Sequence, residues 1–287
     1  MFGRDRIERK TPAEVLMMRR AGLVVADALA AVVAAARPGL TTAELDTIAA
    51  RVIADAGATP SFLGYEGFPA TICVSVNDEV VHGIPGPRVL QPGDLVSIDC
   101  GAIVDGWHGD SAVTIVLEPR DPADVLLSET TEAAMWAGIA ALAGATRVGA
   151  VGEAVEDVVE RAAAGSSAPA DRPAPSTVPY GIVEDYVGHG IGTQMHQPPD
   201  VPNYRTRTRG ERLTPGTCVA VEPMLTRGSA VTRELADGWT VVTDDGSRAS
   251  HWEHTVALLD DGIWVLTAAD GGAARLAALG VVIAPLD

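Results

Sequence analysis

The chain is short of aromatics and cysteines, carries no surplus of basic charge and has no long apolar run. Each shortage removes a class of protein. Three cysteines, Cys73, Cys100 and Cys218, form no CxxC pair, which rules out a thiolate zinc finger. Scattered in this way they build no disulfide framework and fit a reducing compartment. The formal charge of −17 argues against an extended nucleic-acid surface, which needs clustered Lys and Arg. The opening residues, MFGRDRIERK, contain no apolar core for a signal sequence, and no run of about 18 apolar residues is present to span a membrane. Aromatics are only 4% of the residues, so a place that gathers several of them holds a large share of the supply. What remains is an ordinary globular composition over 287 residues, 47% hydrophobic and 21% charged, with the cytoplasm as the expected location.

Helix starts are marked clearly. Thr11-Pro12-Ala13-Glu14 combines an N-cap threonine, proline at the first helical position and glutamate three residues after the cap. The helix it opens is expected to run to about Ala36, where Pro38-Gly39 stops it. A second capping box, Thr41 to Glu44, opens a helix ending near Gly57, with Leu45, Ile48 and Val52 as its buried stripe. Strand-like runs follow: TICVSV, VVHGIP, DLVSIDCGAIV and SAVTIVL, separated by Gly, Pro, Asn and Asp. Helical sequence returns at SETTEAAMWAGIAAL and again over about Ala150 to Ala164. Strands resume near Tyr180 and continue to Leu266. Between them, AGSSAPADRPAPSTVP reads as a mobile surface loop over 164–179.

The two halves repeat each other. Arg37-Pro38-Gly39 matches Arg147-Val148-Gly149, each before a helix, and at an offset of 110 Leu45 and Ile48 fall on Val155 and Val158. HGIP at 82–85 matches HGIG at 189–192. The segment Leu90 to Asp99 matches Leu213 to Glu222, and His108-Gly109-Asp110 matches His251-Trp252-Glu253. Each half reads helix, helix, antiparallel strands. The expected architecture is therefore α+β and one fused domain over 1–287. Its halves lie at about 12–118 and 125–266, with an Ala-rich tail at 267–287.

This repeat superimposes acid on acid, Asp99 on Glu222 and Asp110 on Glu253, and pairs His82 with His189. Each acid has apolar or small neighbours on strand-like sequence, where a carboxylate is costly unless its charge is compensated. Four gathered at a pseudo-symmetric centre repel one another strongly. Divalent cations are the natural compensation, and four carboxylates with an imidazole supply ligands enough for two ions. Oxygen-rich sets of this kind suit Mn, Fe(II) or Co, and also Zn. Two ions about 3.5–4 Å apart can bridge and activate a water, which points to hydrolysis. A turn at Asp105-Gly106 would join the strands of Asp99 and Asp110 as a hairpin, within a residue or two of opposite register. His82 and His196 sit in Gly- or Pro-rich loops, positions suited to proton donation or oxyanion stabilisation. His108, His251 and His254 flank the acids and read as structural or supporting groups.

At these residues the chain resembles the type I methionine aminopeptidases of bacteria, members of the peptidase family M24. The segments that carry the resemblance are GYEGFPATICVSVNDEVVHGIP, LVSIDCGAIVDGWHGDSAVTIV, YVGHGIGTQMHQPP, VAVEPML and GWTVVTDDGSRASHWEHT, and it covers about positions 12 to 266. It implies the pseudo-symmetric pita-bread fold, with helices packed on a curved antiparallel sheet. It implies two divalent ions held by Asp99, Asp110, His189, Glu222 and Glu253, with His82 left outside the metal shell although the repeat pairs it with His189. The implied reaction is removal of the initiator methionine from nascent polypeptides by hydroxide attack on the first peptide bond. Glu222 would pass the proton to the leaving amine, His82 would contact the leaving side, and His196 would stabilise the developing oxyanion. One ion would bind the substrate's α-amino group. Tyr65, Phe68, Cys73, Met195 and Trp239 would line the methionine pocket, an apolar, sulfur-tolerant set. The implied partners are nascent chains and, transiently, the ribosome; the implied state is a monomer with no nucleic-acid or membrane contact. Two departures bear on substrate preference: Glu66 stands where histidine is common, and Met195 where an aromatic is common.

Two other readings stay in view. An aminopeptidase P or prolidase-type enzyme has the same ligand pattern, usually behind a large N-terminal domain for which the 11 residues before the first capped helix leave no room. A pita-bread binding protein without catalysis usually lacks ligands that this chain keeps.

Overall fold

The computed structural model describes residues 7–163 and 180–286. The expected loop at 164–179 lies outside the described residues. In chain order the first half runs α1 (Pro12–Ala35), α2 (Thr42–Asp55), β1 (Thr59–Pro60), β2 (Ile72–Val76), β3 (Glu79–Val81), β4 (Leu95–Val104) and β5 (Trp107–Val116). The second half opens with α3 (Pro122–Leu142) and α4 (Gly149–Ala163). Its strands are β6 (Gly181–Ile182), β7 (Gly188–Gly190), β8 (Gln197–Val201), β9 (Cys218–Val221), β10 (Met224–Thr226), β11 (Thr232–Glu234), β12 (Val241–Thr243), β13 (Ala249–His251), β14 (Glu253–Leu259) and β15 (Gly262–Val265). A short α5 (Ala273–Ala278) follows in the tail, where it buries Leu276 against the second-half core.

Local chemistry explains the helix boundaries. Both capping boxes form: the Thr11 and Thr41 hydroxyls accept from the Glu14 and Glu44 amides, and each glutamate reaches back to its cap amide at 2.7 Å. α3 starts six residues before the expected SETTEAAM run, because Asp121 caps the Ala123 amide and Pro122 occupies the first turn.

A nine-stranded sheet holds the halves together in the order β1-β4-β5-β14-β9-β7-β8, with β2 on β4 and β15 on β14. The seam is the antiparallel pairing of β5 with β14, Ser111 opposite His254 and Ala112 opposite Glu253. α1 and α2 cover the first-half strands, burying Leu45, Ile53, Ile72 and Ile98 in one core. α3 and α4 cover the second-half strands, burying Leu127, Ile139, Val155 and Val219 in another. A fully buried side chain of this size contributes about 2 kcal/mol relative to exposure. The repeat is thus expressed as two helix pairs on one sheet, with the acid-bearing strands β4, β5, β9 and β14 adjacent at its middle. α1 approaches β5 closely enough that a Cβ on Gly109 would lie 2.7 Å from the Gly22 backbone nitrogen. Among the described residues, no helix is long and apolar enough to cross a membrane.

Candidate active site

The β4–β5 hairpin supplies the first two acids. Its turn is Asp105-Gly106, with φ of 50° and 84°, the two left-handed residues that a tight turn between twisted strands requires. Asp99 pairs with Ala112 and Asp110 with Gly101, so the two carboxylates sit on a diagonal two positions apart and share one face. In the second half, Glu253 begins β14 and Glu222 directly follows β9, whose Val221 lies opposite His254. The Glu222 amide donates to the Asn203 side-chain oxygen at 3.3 Å. β7 brings in His189. Ligand atoms of Asp110, His189 and Glu253 lie within 4.8 Å of one another, and His189 Nε2 is 3.4 Å from Glu222 Oε1. All five side chains are buried.

This burial has a large electrostatic cost. Desolvation pushes the Asp99 carboxyl up to about 7. Asp110, Glu222 and Glu253 are held well above the usual carboxylate range, by burial first and then by repulsion within the group. Asp99 Oδ1, Asp110 Oδ1 and Glu253 Oε1 have no hydrogen-bond partner among the described residues. Orphaned buried oxygens facing one centre fit a divalent cation, whose charge removes the penalty that raises these groups. The imidazole fits too. His189 Nδ1 donates to the Gly190 carbonyl at 3.1 Å, and burial lowers the ring to about 3, so it is neutral with Nε2 free as an electron-pair donor. Four carboxylates and one such imidazole form a hard, oxygen-rich donor set.

A cavity of about 170 Å³ opens onto this centre, and every residue expected at the site lines it: Tyr65, Phe68, Cys73, His82, Asp99, Asp110, His189, Met195, His196, Glu222, Trp239 and Glu253. Its apolar side is a cluster in which Phe68, Cys73 and Met195 are buried and Tyr65 and Trp239 pack at the edge. Phe68 meets Trp239 edge-on at 5.1 Å between centroids. His82 follows β3 in left-handed backbone, φ 59°, and stands edge-on to Tyr186 and Trp239. Burial takes it down to about 4, so it is neutral at pH 7. His196 Nδ1 is 2.9 Å from the Tyr65 hydroxyl, and its ring lies 4.3 Å from that of His189. Burial lowers its pKa, and the Glu66 charge at the rim partly opposes that.

Sequence reasoning missed Phe62 and Val81 among the lining residues. Val81 lies inside the VVHGIP segment, and Phe62 carried no signal beyond its closeness to Tyr65. The remaining histidines fall around the centre. His108 Nδ1 lies 3.0 Å from Ser61 Oγ, and His254 Nδ1 lies 2.8 Å from Thr267 Oγ1. His251 is buried with Nε2 at 3.8 Å from Glu222 Oε2.

Residues 17–260 match the profile of Metallopeptidase family M24. The chain belongs to this family. A methionine aminopeptidase 1 of Mycobacterium tuberculosis is 51% identical over 266 residues, which cover 92% of this chain and 96% of that one. A methionine aminopeptidase 1 of Bacillus subtilis is 42% identical, covering 90% of this chain and 98% of its own. Among solved structures, the methionine aminopeptidase of Thermotoga maritima matches with a TM-score of 0.83 at 36% identity, over 91% of this chain and 99% of that one. The prolidase of Pyrococcus furiosus matches with a TM-score of 0.69 at 18% identity, and this chain spans 65% of it. That likeness shows shared fold alone: the M24 chain described here has the pita-bread fold, α+β with helices on a curled antiparallel sheet.

Proposed function

We infer that the chain is a methionyl aminopeptidase, a metal-dependent hydrolase that removes the N-terminal methionine from polypeptides. The observation that carries this reading is the continuity of the cavity. An apolar, sulfur-tolerant wall of Phe68, Cys73, Met195 and Trp239 runs directly into a centre of four carboxylates and His189. An unbranched thioether side chain suits that wall. A free α-ammonium group suits the acidic centre, because among the described residues no Lys or Arg lines the cavity beside its acids.

We assign Asp99, Asp110, His189, Glu222 and Glu253 as the residues that hold two divalent ions, of Co, Mn, Fe(II) or Zn. Bound divalent ions supply Lewis acidity toward the scissile carbonyl and lower the pKa of water. The chain's own groups do the rest. Glu222, buried and raised in pKa, carries the proton toward the leaving amine. His196, oriented by the Tyr65 hydroxyl, donates to the carbonyl oxygen as negative charge develops there. His82, neutral and wedged between Tyr186 and Trp239, presents a polar edge to the leaving side. Tyr65, Phe68, Cys73, Met195 and Trp239 hold the methionine side chain and exclude water from it.

The finer reading is a single-domain cytoplasmic monomer that acts on the initiator methionine of nascent chains in transient contact with the ribosome. The −17 charge disfavours direct nucleic-acid binding in that setting. Release of methionine from a Met-Ala-Ser peptide by Mn- or Co-loaded protein tests the reading. Cleavage of an X-Pro peptide with Met-Ala-Ser untouched would replace it with a prolidase-type activity, and absence of both activities in metal-loaded protein would favour a binding role.

A further inference from the structure

The segment before α1 takes no part in the chemistry above, yet it is bonded to the loop that carries two residues of the site. Glu8 Oε2 accepts from the Thr193 amide at 3.1 Å and from Gln197 Nε2 at 2.6 Å, while Oε1 accepts from the Thr193 hydroxyl at 2.8 Å. Lys10 Nζ donates to the Ile191 carbonyl at 2.5 Å and stands 3.4 Å from Glu8 Oε2. Lys10 is the single lysine of the chain, and its side chain is buried. The strap is itself anchored on the turn before β9, where the Lys10 amide donates to the Gly216 carbonyl at 2.8 Å and the Arg9 guanidinium to the Pro215 carbonyl. Loop and strap meet at Gly192, where a Cβ would collide with the side chains of both Glu8 and Lys10. On its other side the Gly192 carbonyl accepts from the His108 amide at 2.9 Å. The loop is therefore fixed at Ile191, Gly192, Thr193 and Gln197, and between those points lie Met195 and His196.

We propose that Glu8 and Lys10 are positioning residues that act through the Ile191–Gln197 loop to set Met195 against the methionine side chain and His196 against the reacting carbonyl. This rests on the functional reading above. An ion pair between the buried Lys10 and the partly exposed Glu8, with several further hydrogen bonds, is a rigid tie, and removal of Glu8 leaves the buried ammonium without its counter-charge. A shift of about 1 Å at a specificity wall or an oxyanion donor is enough to cost selectivity and rate. Distance from the chemistry gives no protection, because the loop transmits the displacement through backbone.

The test uses Glu8→Ala, which removes three acceptor contacts, and Lys10→Met, which keeps the volume of the stem and removes the Nζ donor. Two quantities are read in metal-loaded protein: the ratio of kcat/KM for Met-Ala-Ser over Leu-Ala-Ser, and hydrogen exchange of the amides from 191 to 197. The expected result is a ratio at least fivefold lower in both variants, mainly through KM for the methionine peptide. It comes with at least tenfold faster exchange confined to that loop and unchanged exchange in α2. A ratio within twofold of wild type in a folded variant overturns the proposal and leaves the strap a structural tie. Should Glu8→Ala fail to fold, Lys10→Met decides alone. Wild-type protein that releases methionine from neither peptide overturns the functional reading and this inference with it. Intact wild-type selectivity that both variants keep overturns only the inference.

Discussion

Replacing Asp99 by Asn in metal-stripped protein probes the electrostatics of the centre. Burial holds the Asp99 carboxyl at about 7, against an ordinary 3.8. Across that window the folded state retains a proton that the unfolded chain has released, so stability falls as pH rises through it. About three pH units at about 1.4 kcal/mol each set the Asp99 share of the stability lost between pH 4 and pH 7 at about 4 kcal/mol, and the other raised acids act in the same direction. Water admitted beside the ionised carboxylate makes that figure a ceiling. Histidine acts in the opposite sense. His189 and His251 are depressed to about 3, and His82, His108 and His254 to about 4, all by burial first. Their unfolded forms bind protons that the folded forms refuse, so they make stability rise up to about pH 6.5. The two trends overlap, and the wild-type profile alone decides nothing. The difference between wild type and Asp99→Asn cancels the histidines and reports the Asp99 charge together with the relief its loss gives to Asp110, Glu222 and Glu253. In urea titrations with excess chelator, the variant is expected to gain on wild type by about 2–4 kcal/mol between pH 4.5 and pH 7.5, then level off. A difference that does not change with pH, or that runs the other way, refutes the reasoning. Divalent ion is expected to favour wild type instead, by about 2.7 kcal/mol per site at a hundredfold excess over Kd.

Three further outcomes follow from named contacts. Tyr65→Phe deletes the hydroxyl at 2.9 Å from His196 Nδ1 and is expected to lower kcat about tenfold with little change in the KM for Met-Ala-Ser, measured by steady-state release of methionine. Gly22→Ala places a methyl group against the Leu266 carbonyl and is expected to cost about 1–3 kcal/mol by overpacking; an unchanged thermal midpoint would show that α1 can shift freely. Thr41→Ala removes the capping box of α2 and is expected to cost about 1 kcal/mol in urea unfolding, with activity at saturating substrate retained.

Much of the centre was legible because its signals are local or duplicated. Two capping boxes fix two helix starts within a residue, and Asp105-Gly106 fixes the hairpin that presents Asp99 and Asp110. The duplication turned four separate acids into two related pairs, and the structure places them on adjacent strands. Other features depend on context that no local pattern carries. VVHGIP reads as a strand-like run with His82 in its Gly- and Pro-rich turn, but the left-handed backbone at His82 that ends β3 at Val81 has no local signature. Asp121-Pro122 is a helix start in hindsight, but the apolar period becomes recognisable only further along α3. The ties of Glu8 to Thr193 and Gln197 span 185 and 189 residues, and a pairing at that separation leaves no trace in spacing. His82 and His189 are equivalent in the repeat and different in the structure. His189 stands among the acids, whereas His82 packs between Tyr186 and Trp239.

The central claim is that methionine release depends on divalent ions at the centre formed by Asp99, Asp110, His189, Glu222 and Glu253. A titration of chelated protein with Mn(II), following bound metal and methionine released from Met-Ala-Ser in the same samples, measures it most directly. The account predicts no release without metal and release that grows with occupancy. It also predicts a folded Asp110→Asn variant whose metal binding is weakened and whose turnover is lost. Full turnover in excess chelator, or wild-type turnover by Asp110→Asn, would contradict it.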